Sequence, residues 1–329
     1  MVVMVLAIEL STSSGSIRVA LSNIAVASAT LSYVITSWTS LETSIGALAR
    51  LRQFESDAPS EHLAQETDDP TDWPSGESIE INDLTISYRL GLDPVVRGLN
   101  LTIPPRANIG ICGRLGSGKS SLILSFLRLT EIVSGTISID NIDISHISRE
   151  IIRRRLSILP QEPMIFSGSI RSNIDPFQVH TDEAITSALS KIGMQEWFIS
   201  LRASLDTLIQ KDKLSSGQQQ LLSFARILLN PSKVLLLDEA TSMMDVKTEA
   251  KITKLVHEEF RDSIVISVAH RLQTIVDFDL VLVMDQGVVI ESGNPSDLLK
   301  KNHSAFKDLW MKQSTDDIRT AESISDHMS

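Results

Sequence analysis

Gly113-Arg114-Leu115-Gly116-Ser117-Gly118-Lys119-Ser120 places three glycines, a lysine and a hydroxyl at the spacing G-x-x-x-x-G-K-[ST]. These residue types at this spacing suit a phosphate. The glycines let backbone N–H groups approach an anion, and a following helix adds its positive end. Lys119 is expected to reach the β and γ phosphates of a nucleotide and Ser120 to ligate Mg²⁺. A second constellation is Val234-Leu235-Leu236-Leu237-Asp238-Glu239, an apolar run ending in two carboxylates. Asp238 is suited to hold Mg²⁺, directly or through water, and Glu239 to orient or deprotonate an attacking water. Two carboxylates capping the next helix is the competing structural reading. Between these two constellations lies Leu214-Ser215-Ser216-Gly217-Gln218. The chemistry implied is hydrolysis of a nucleoside triphosphate.

Such groups need strands to aim them. The apolar run Ile109-Gly110-Ile111-Cys112 leads directly into the glycine loop, and 120–129 is helical in pattern. Strands are expected at 79–81, 84–88, 99–103, 109–112, 136–139, 156–159, 234–237, 264–268, 280–284 and 288–291. Helices are expected to begin at Lys119, Arg149, Thr181, Ser215, Lys247 and Pro295. Alternation of strand and helix predicts an α/β domain with a mainly parallel sheet. The early strands have little helix between them and predict a separate antiparallel layer.

The regions outside this domain read differently. Residues 1–10 are apolar but lack a basic start and a small-residue cleavage site, so they do not resemble a secretory signal. Residues 17–38 are mostly apolar or small and as a helix would reach roughly 30 Å, about one bilayer core. Arg18 and Asn23 count against a lone anchor, whereas the Ala25 and Ala29 spacing suits packing against other membrane helices. A buried helix of a soluble protein is the alternative on these residues alone. Leu41, Ile45, Leu48 and Leu51 continue the helical spacing. Arg50 and Arg52 predict a cytoplasmic side. Residues 55–78 form an acidic, proline-interrupted linker, and 314–329 read as a disordered tail.

The whole chain carries 30 Lys+Arg against 41 Asp+Glu, a net charge of −11. It therefore shows no general affinity for nucleic acid. Its single cysteine, Cys112, excludes an intramolecular disulfide and fits a reducing compartment. Within an apolar strand pattern it reads as a buried thiol.

From Trp73 to about Trp310 the chain resembles an ATP-binding cassette (ABC) nucleotide-binding domain. The resemblance is to the second such domain of the C subfamily, the multidrug-resistance-associated exporters. It is carried by the motifs above, by Pro160-Gln161-Glu162-Pro163, and by Phe166-Ser167-Gly168-Ser169-Ile170-Arg171-Ser172-Asn173-Ile174-Asp175-Pro176. Gln218-Gln219-Gln220 and Ser37-Trp38-Thr39-Ser40-Leu41-Glu42-Thr43-Ser44-Ile45 are similar to fungal members. The resemblance implies a P-loop NTPase fold with an antiparallel layer and a helical subdomain over 79–313, preceded by the end of the last transmembrane region over 1–54.

The resemblance also implies roles. ATP would be bound by Tyr88, stacking on adenine, and by residues 113–120 with Ser121. Gln161 would touch Mg²⁺ and the water and relay to the membrane domain. His270, in Ser267-Val268-Ala269-His270-Arg271, would contact the γ-phosphate. Leu214, Ser215, Ser216, Gly217 and Gln218 form the signature, which caps ATP held by another cassette. Asp245 would communicate across the cassette pair. Each has a plainer reading. Tyr88 fits an alternating strand position, Gln161 a loop, His270 packing, and Asp245 a helix N-cap.

Three positions depart from the family pattern. Ser216 stands where Gly is usual, Gln219 where Arg is common, and Leu115 where Thr or Ser is common. Glu239 is intact. The resemblance implies that Lys119, Asp238 and Glu239 serve the active composite site and Ser215 to Gln218 the weaker one. Partners implied are a first cassette, the remaining membrane helices, the membrane itself and a small-molecule transport substrate. The expected function is the C-terminal ATPase portion of an exporter. The alternatives are an inactive or regulatory cassette fragment and a soluble ABC ATPase of the DNA-repair or translation kind.

Overall fold

A computed structural model describes residues 14–58, 70–200, 204–240 and 244–326. The readings of residues 1–10 and of the middle of the acidic linker, 59–69, lie outside the described residues, as does the end of the tail, 327–329. The chain divides into two units, residues 1–61 and 62–329. Among the described residues of the first, the helix α1 (Ser14–Asp57) is long and apolar enough to cross a membrane. Its apolar side chains, from Val19 through Tyr33 to Phe54, are exposed. Its hydroxyls bond within the helix: Thr30 Oγ1 donates to the Val26 carbonyl at 2.9 Å and Thr43 Oγ1 to that of Thr39 at 2.8 Å. Such internal bonding satisfies polar groups where water is absent.

The second unit opens with β1 (Ile79–Ser87), β2 (Val96–Ile103) and β3 (Asn108–Gly113), then α2 (Lys119–Phe126). β4 (Glu131–Ile139), β5 (Ile142–Asp143), α3 (Arg149–Arg155) and β6 (Ser157–Leu159) follow. A helical region contains β7 (Gly168–Ser169), α4 (Ile170–Ile174), α5 (Asp182–Lys191), α6 (Gln195–Ser200), β8 (Leu208–Ile209) and α7 (Ser216–Leu229). The unit ends with β9 (Val234–Asp238), α8 (Val246–Glu259), β10 (Ile264–Val268), β11 (Leu280–Asp285), β12 (Val288–Gly293), α9 (Pro295–Lys300) and α10 (Ala305–Asp326).

The expected antiparallel layer is present, with strand order β2-β1-β4-β5. The separate 79–81 and 84–88 strands are one strand, β1, with irregular register at Ile81/Leu84. The main sheet has the order β12-β11-β3-β10-β9-β6, parallel except for β12. Every residue of β9 is buried, as a strand covered on both faces requires. One core joins the antiparallel layer to the main sheet and α2 through Ile81, Ile86, Ile137, Leu122, Phe126, Ile109 and Leu236. A second lies under the helical region, through Ile174, Leu189, Phe224, Leu235 and Phe260. A third gathers Cys112, Leu272, Ile275, Phe278 and Phe306.

Helices begin where their caps predict. Thr181, Ser215 and Asp245 are the N-caps of α5, α7 and α8. Three expectations change. Residues 55–57 belong to α1, and residues 70–78 are fastened to the globular unit rather than solvated. There, buried Trp73 donates from Nε1 to the Ile139 carbonyl at 3.0 Å. Arg155 donates to the Pro70 carbonyl at 2.9 Å. The carboxylate of Asp140 accepts from the backbone N–H groups of Ser75, Gly76, Glu77 and Ser78 at 2.6–3.2 Å. Residues 314–326, expected to be disordered, continue α10 as helix. Packing of Phe306, Leu309 and Trp310 into the third core fixes the first turns, after which each added residue needs only helix propagation.

Candidate functional site

Four adjacent parallel strands, in the order β3-β10-β9-β6, deliver their C-terminal ends to one edge of the main sheet. Register keeps those ends level: Val268 pairs with both Ile111 and Asp238, and Leu159 with Leu237. Segments following four such ends therefore converge, which is where α/β sheets place ligands. The segments are the glycine loop after β3, Pro160 and Gln161 after β6, Glu239 after β9, and His270 after β10.

In the loop, Arg114, Leu115 and Gly116 are exposed and Ser117, Lys119 and Ser121 are buried. Gly113 (φ 147°) could not carry a Cβ, which would fall 2.1 Å from the Met284 carbonyl oxygen. Gly118 (φ 96°) is the N-cap of α2, and a Cβ there would meet the Val95 carbonyl at 2.7 Å. These contacts explain two of the three glycines by space as well as conformation. Lys119 Nζ donates to the carbonyls of Gly113 and Arg114 at 3.2 and 3.0 Å, folding the ammonium over its own loop. The Ser117 hydroxyl is buried and without a hydrogen-bond partner. An ammonium drawn into the loop, a helix start and an orphaned buried hydroxyl together fit a phosphate group.

Ser120 Oγ donates to Asp238 Oδ1 at 2.8 Å, bringing the two expected cation ligands together across a sequence separation of 118. Burial raises the Asp238 carboxyl above the ordinary range, partly offset by the Ser120 bond. A hydroxyl and a buried carboxylate in contact fit a Mg²⁺ site, since a bound cation compensates that burial. Glu239 takes a left-handed backbone (φ 44°), uncommon for a non-glycine residue, and its N–H donates to the Val268 carbonyl at 3.1 Å. Gln161 Nε2 donates to Glu239 Oε2 at 3.0 Å. Tyr88, more than half exposed, meets Ser121 through their hydroxyls at 2.9 Å. His270 is exposed.

The signature segment forms the start of α7. Ser215 Oγ accepts from Gln218 N–H at 3.2 Å and Gln218 Oε1 accepts from Ser215 N–H at 3.0 Å, a reciprocal capping box. Leu214 is buried, while Ser215 and Ser216 are exposed beside half-buried Gly217. Asp245 caps α8, accepting from Lys247 and Thr248 N–H at 3.0 Å and from Thr248 Oγ1 at 2.7 Å, and these Thr248 bonds depress its carboxyl pKa. Its plainer reading as an N-cap is thus realised. Cys112 is buried and its thiol is pushed up to about 12 by burial, so it is an inert strand residue.

Two residues missed in the sequence also fix this edge. Buried Gln220 donates from Nε2 to the carbonyls of Pro160 and Gln161 at 3.1 and 2.8 Å, tying the signature helix to the Gln161 loop. Gln313 bonds the His270 segment. Gln220 sits among apolar residues of an amphipathic helix, which was its available signal.

Comparison with known proteins accords with this geometry. Residues 96–242 match the family model described as ABC transporter. The chain is 42% identical over 311 residues to ABC multidrug transporter B of Aspergillus fumigatus, covering 94% of this chain and 21% of that protein. It is 40% identical over 274 residues to ABC transporter C family member 8 of Dictyostelium discoideum, covering 82% of this chain and 17% of that protein. The chain spans about a fifth of the length of these curated relatives. A bacterial Atm1-family ABC exporter with ATP bound superposes with TM-score 0.77 at 26% identity, covering 84% of this chain and 49% of that one. Strand order, glycine loop, carboxylate pair and relatives lead to one conclusion: the globular unit is an ATP-binding ATPase domain, and with it the chain belongs to the ABC transporter family.

Proposed function

We propose that this chain hydrolyses ATP to drive export of a small molecule across a membrane, in concert with a first cassette and further transmembrane helices. The observation that carries the reading is the meeting of Ser120 with Asp238 and of Gln161 with Glu239 beside the glycine loop. Lys119 and the loop N–H groups bind the β and γ phosphates, and Tyr88 stacks on adenine. Ser120, Asp238 and the amide oxygen of Gln161 would hold Mg²⁺, which supplies neutralisation of phosphate charge. Glu239 orients and deprotonates the attacking water, kept in place by the Gln161 amide. His270 contacts the γ-phosphate. Leu214 to Gln218 cap ATP bound on the partner cassette, and Asp245, while capping α8, takes part in contact across the pair.

The test is Glu239→Gln. An amide keeps the shape and the bond to Gln161 but cannot accept the proton. ATP binding should persist while turnover in a paired assembly falls by about 100-fold or more. Turnover within about twofold of the parent would remove Glu239 as the base.

A further inference from the structure

His270 is exposed, so side-chain packing does not fix it, yet its backbone is held on several sides. On the upstream side, Ala269 N–H donates to the Ile111 carbonyl at 3.0 Å, linking it to the strand that carries the glycine loop. At His270 the carbonyl accepts from Gln313 Nε2 at 2.8 Å. Two residues on, Leu272 N–H donates to Gln313 Oε1, also at 2.8 Å. Between them Arg271 pairs with buried Glu249 in the first turn of α8. One planar amide from α10 thus spans the tripeptide that begins with His270, donating at one end and accepting at the other. α10 is itself seated by Phe306, which packs in the third core with Leu272 and Ile275. The residue bearing the clamp and the turn it clamps therefore share one packed foundation.

We infer that Gln313 is a positioning residue for His270: it fixes the backbone of residues 270–272 so that the imidazole is presented to the terminal phosphate, giving α10 a part in distinguishing a triphosphate from a diphosphate. The inference rests on the proposed contact of His270 with the γ-phosphate. A residue that merely docks α10 would alter stability and the affinities of both nucleotides together. A residue that orients His270 affects only the nucleotide that has a γ-phosphate. Arg271 and Glu249 cannot substitute, because they restrain a neighbouring side chain and leave the His270 carbonyl and Leu272 N–H without their partner.

The test uses the full chain and measures affinity for MgATP and MgADP, with amide hydrogen exchange at Leu272 in the nucleotide-free protein. Gln313→Met keeps the volume and removes both bonds. Gln313→Glu keeps the acceptor for Leu272 N–H and places an oxygen against the His270 carbonyl. His270→Ala should lower the ratio of ATP to ADP affinity by about tenfold. Gln313→Met and Gln313→Glu should lower it by about three- to tenfold, with ADP affinity within about twofold of the parent. Gln313→Met should also speed exchange at Leu272, and combining it with His270→Ala should lower the ratio no further than His270→Ala does. If Gln313→Met does not fold, Gln313→Glu alone decides the ratio. A ratio that falls in His270→Ala but not in the Gln313 variants overturns the clamp and spares His270. Equal loss of both nucleotides, or a loss that adds to that of His270→Ala, overturns it as well. A ratio unchanged in His270→Ala removes the reading of His270 and the clamp with it.

Discussion

Tyr88 illustrates how a residue can satisfy two readings. As the residue just after β1 it follows an alternating strand, and its ring is more than half exposed, available to a flat ligand. Its hydroxyl meets Ser121 on α2, two residues beyond the lysine of the glycine loop. Replacing Tyr88 with Ala removes ring and hydroxyl, and ATP should then bind about tenfold more weakly while inorganic triphosphate is little changed. Tyr88→Phe keeps the ring and should bind ATP within about threefold of the parent, since only the Ser121 bond is lost. Competition binding with both ligands checks this, and equal losses for ATP and triphosphate in Tyr88→Ala would exclude adenine stacking. Lys119, Ser120, Asp238 and Glu239 were legible in the sequence because each belongs to a short local pattern. Gln313 was not, because its partners lie 41 and 43 residues away. A faint signal existed, since Phe306, Leu309, Trp310 and Gln313 share one helical face.

At the scale of elements, the parallel sheet was legible because apolar runs alternated with capped helices, and the caps at Thr181, Ser215 and Asp245 fall where side-chain oxygens can serve the first N–H groups. The strap at 70–78 is not legible in the sequence, because prolines and acids in that stretch look the same whether solvated or fastened. What fastens it is remote: Arg155, Ile139 and above all Asp140, whose one carboxylate serves four consecutive N–H groups. Asp140 also has a left-handed backbone (φ 52°), which Asn tolerates better than Ala. Asp140→Ala should therefore lower unfolding stability by about 2–3 kcal/mol and Asp140→Asn by about 1 kcal/mol. Urea unfolding followed by tryptophan fluorescence measures both. Losses below about 0.5 kcal/mol in each variant would mean that water replaces the carboxylate and that Trp73 and Arg155 suffice to secure the strap.

At the scale of the whole molecule, the two units dispose of their apolar side chains differently. The globular unit buries its apolar side chains in three cores, whereas α1 exposes its own along its length. A helix of 44 residues rises about 66 Å, roughly twice a hydrocarbon core of about 30 Å. If α1 spans a membrane, the apolar and small-residue portion at 17–38 is long enough for one crossing, and Arg50 and Arg52 predict that the remainder extends on the cytoplasmic side. Hydroxyls bonded to their own helix, as at Thr30, Thr36 and Thr39, remove the penalty of polar groups in lipid. If α1 spans a membrane, the full chain should remain in the membrane fraction after alkaline carbonate extraction, and removal of residues 1–58 should release the ATPase domain to the supernatant. A buried helix of a soluble protein would give the reverse pattern for the full chain, which would then be extracted and would aggregate on losing α1 only if that helix were shielding another surface. The chain retained in membranes with α1, and soluble and able to bind ATP without it, is the outcome expected of a membrane-spanning α1.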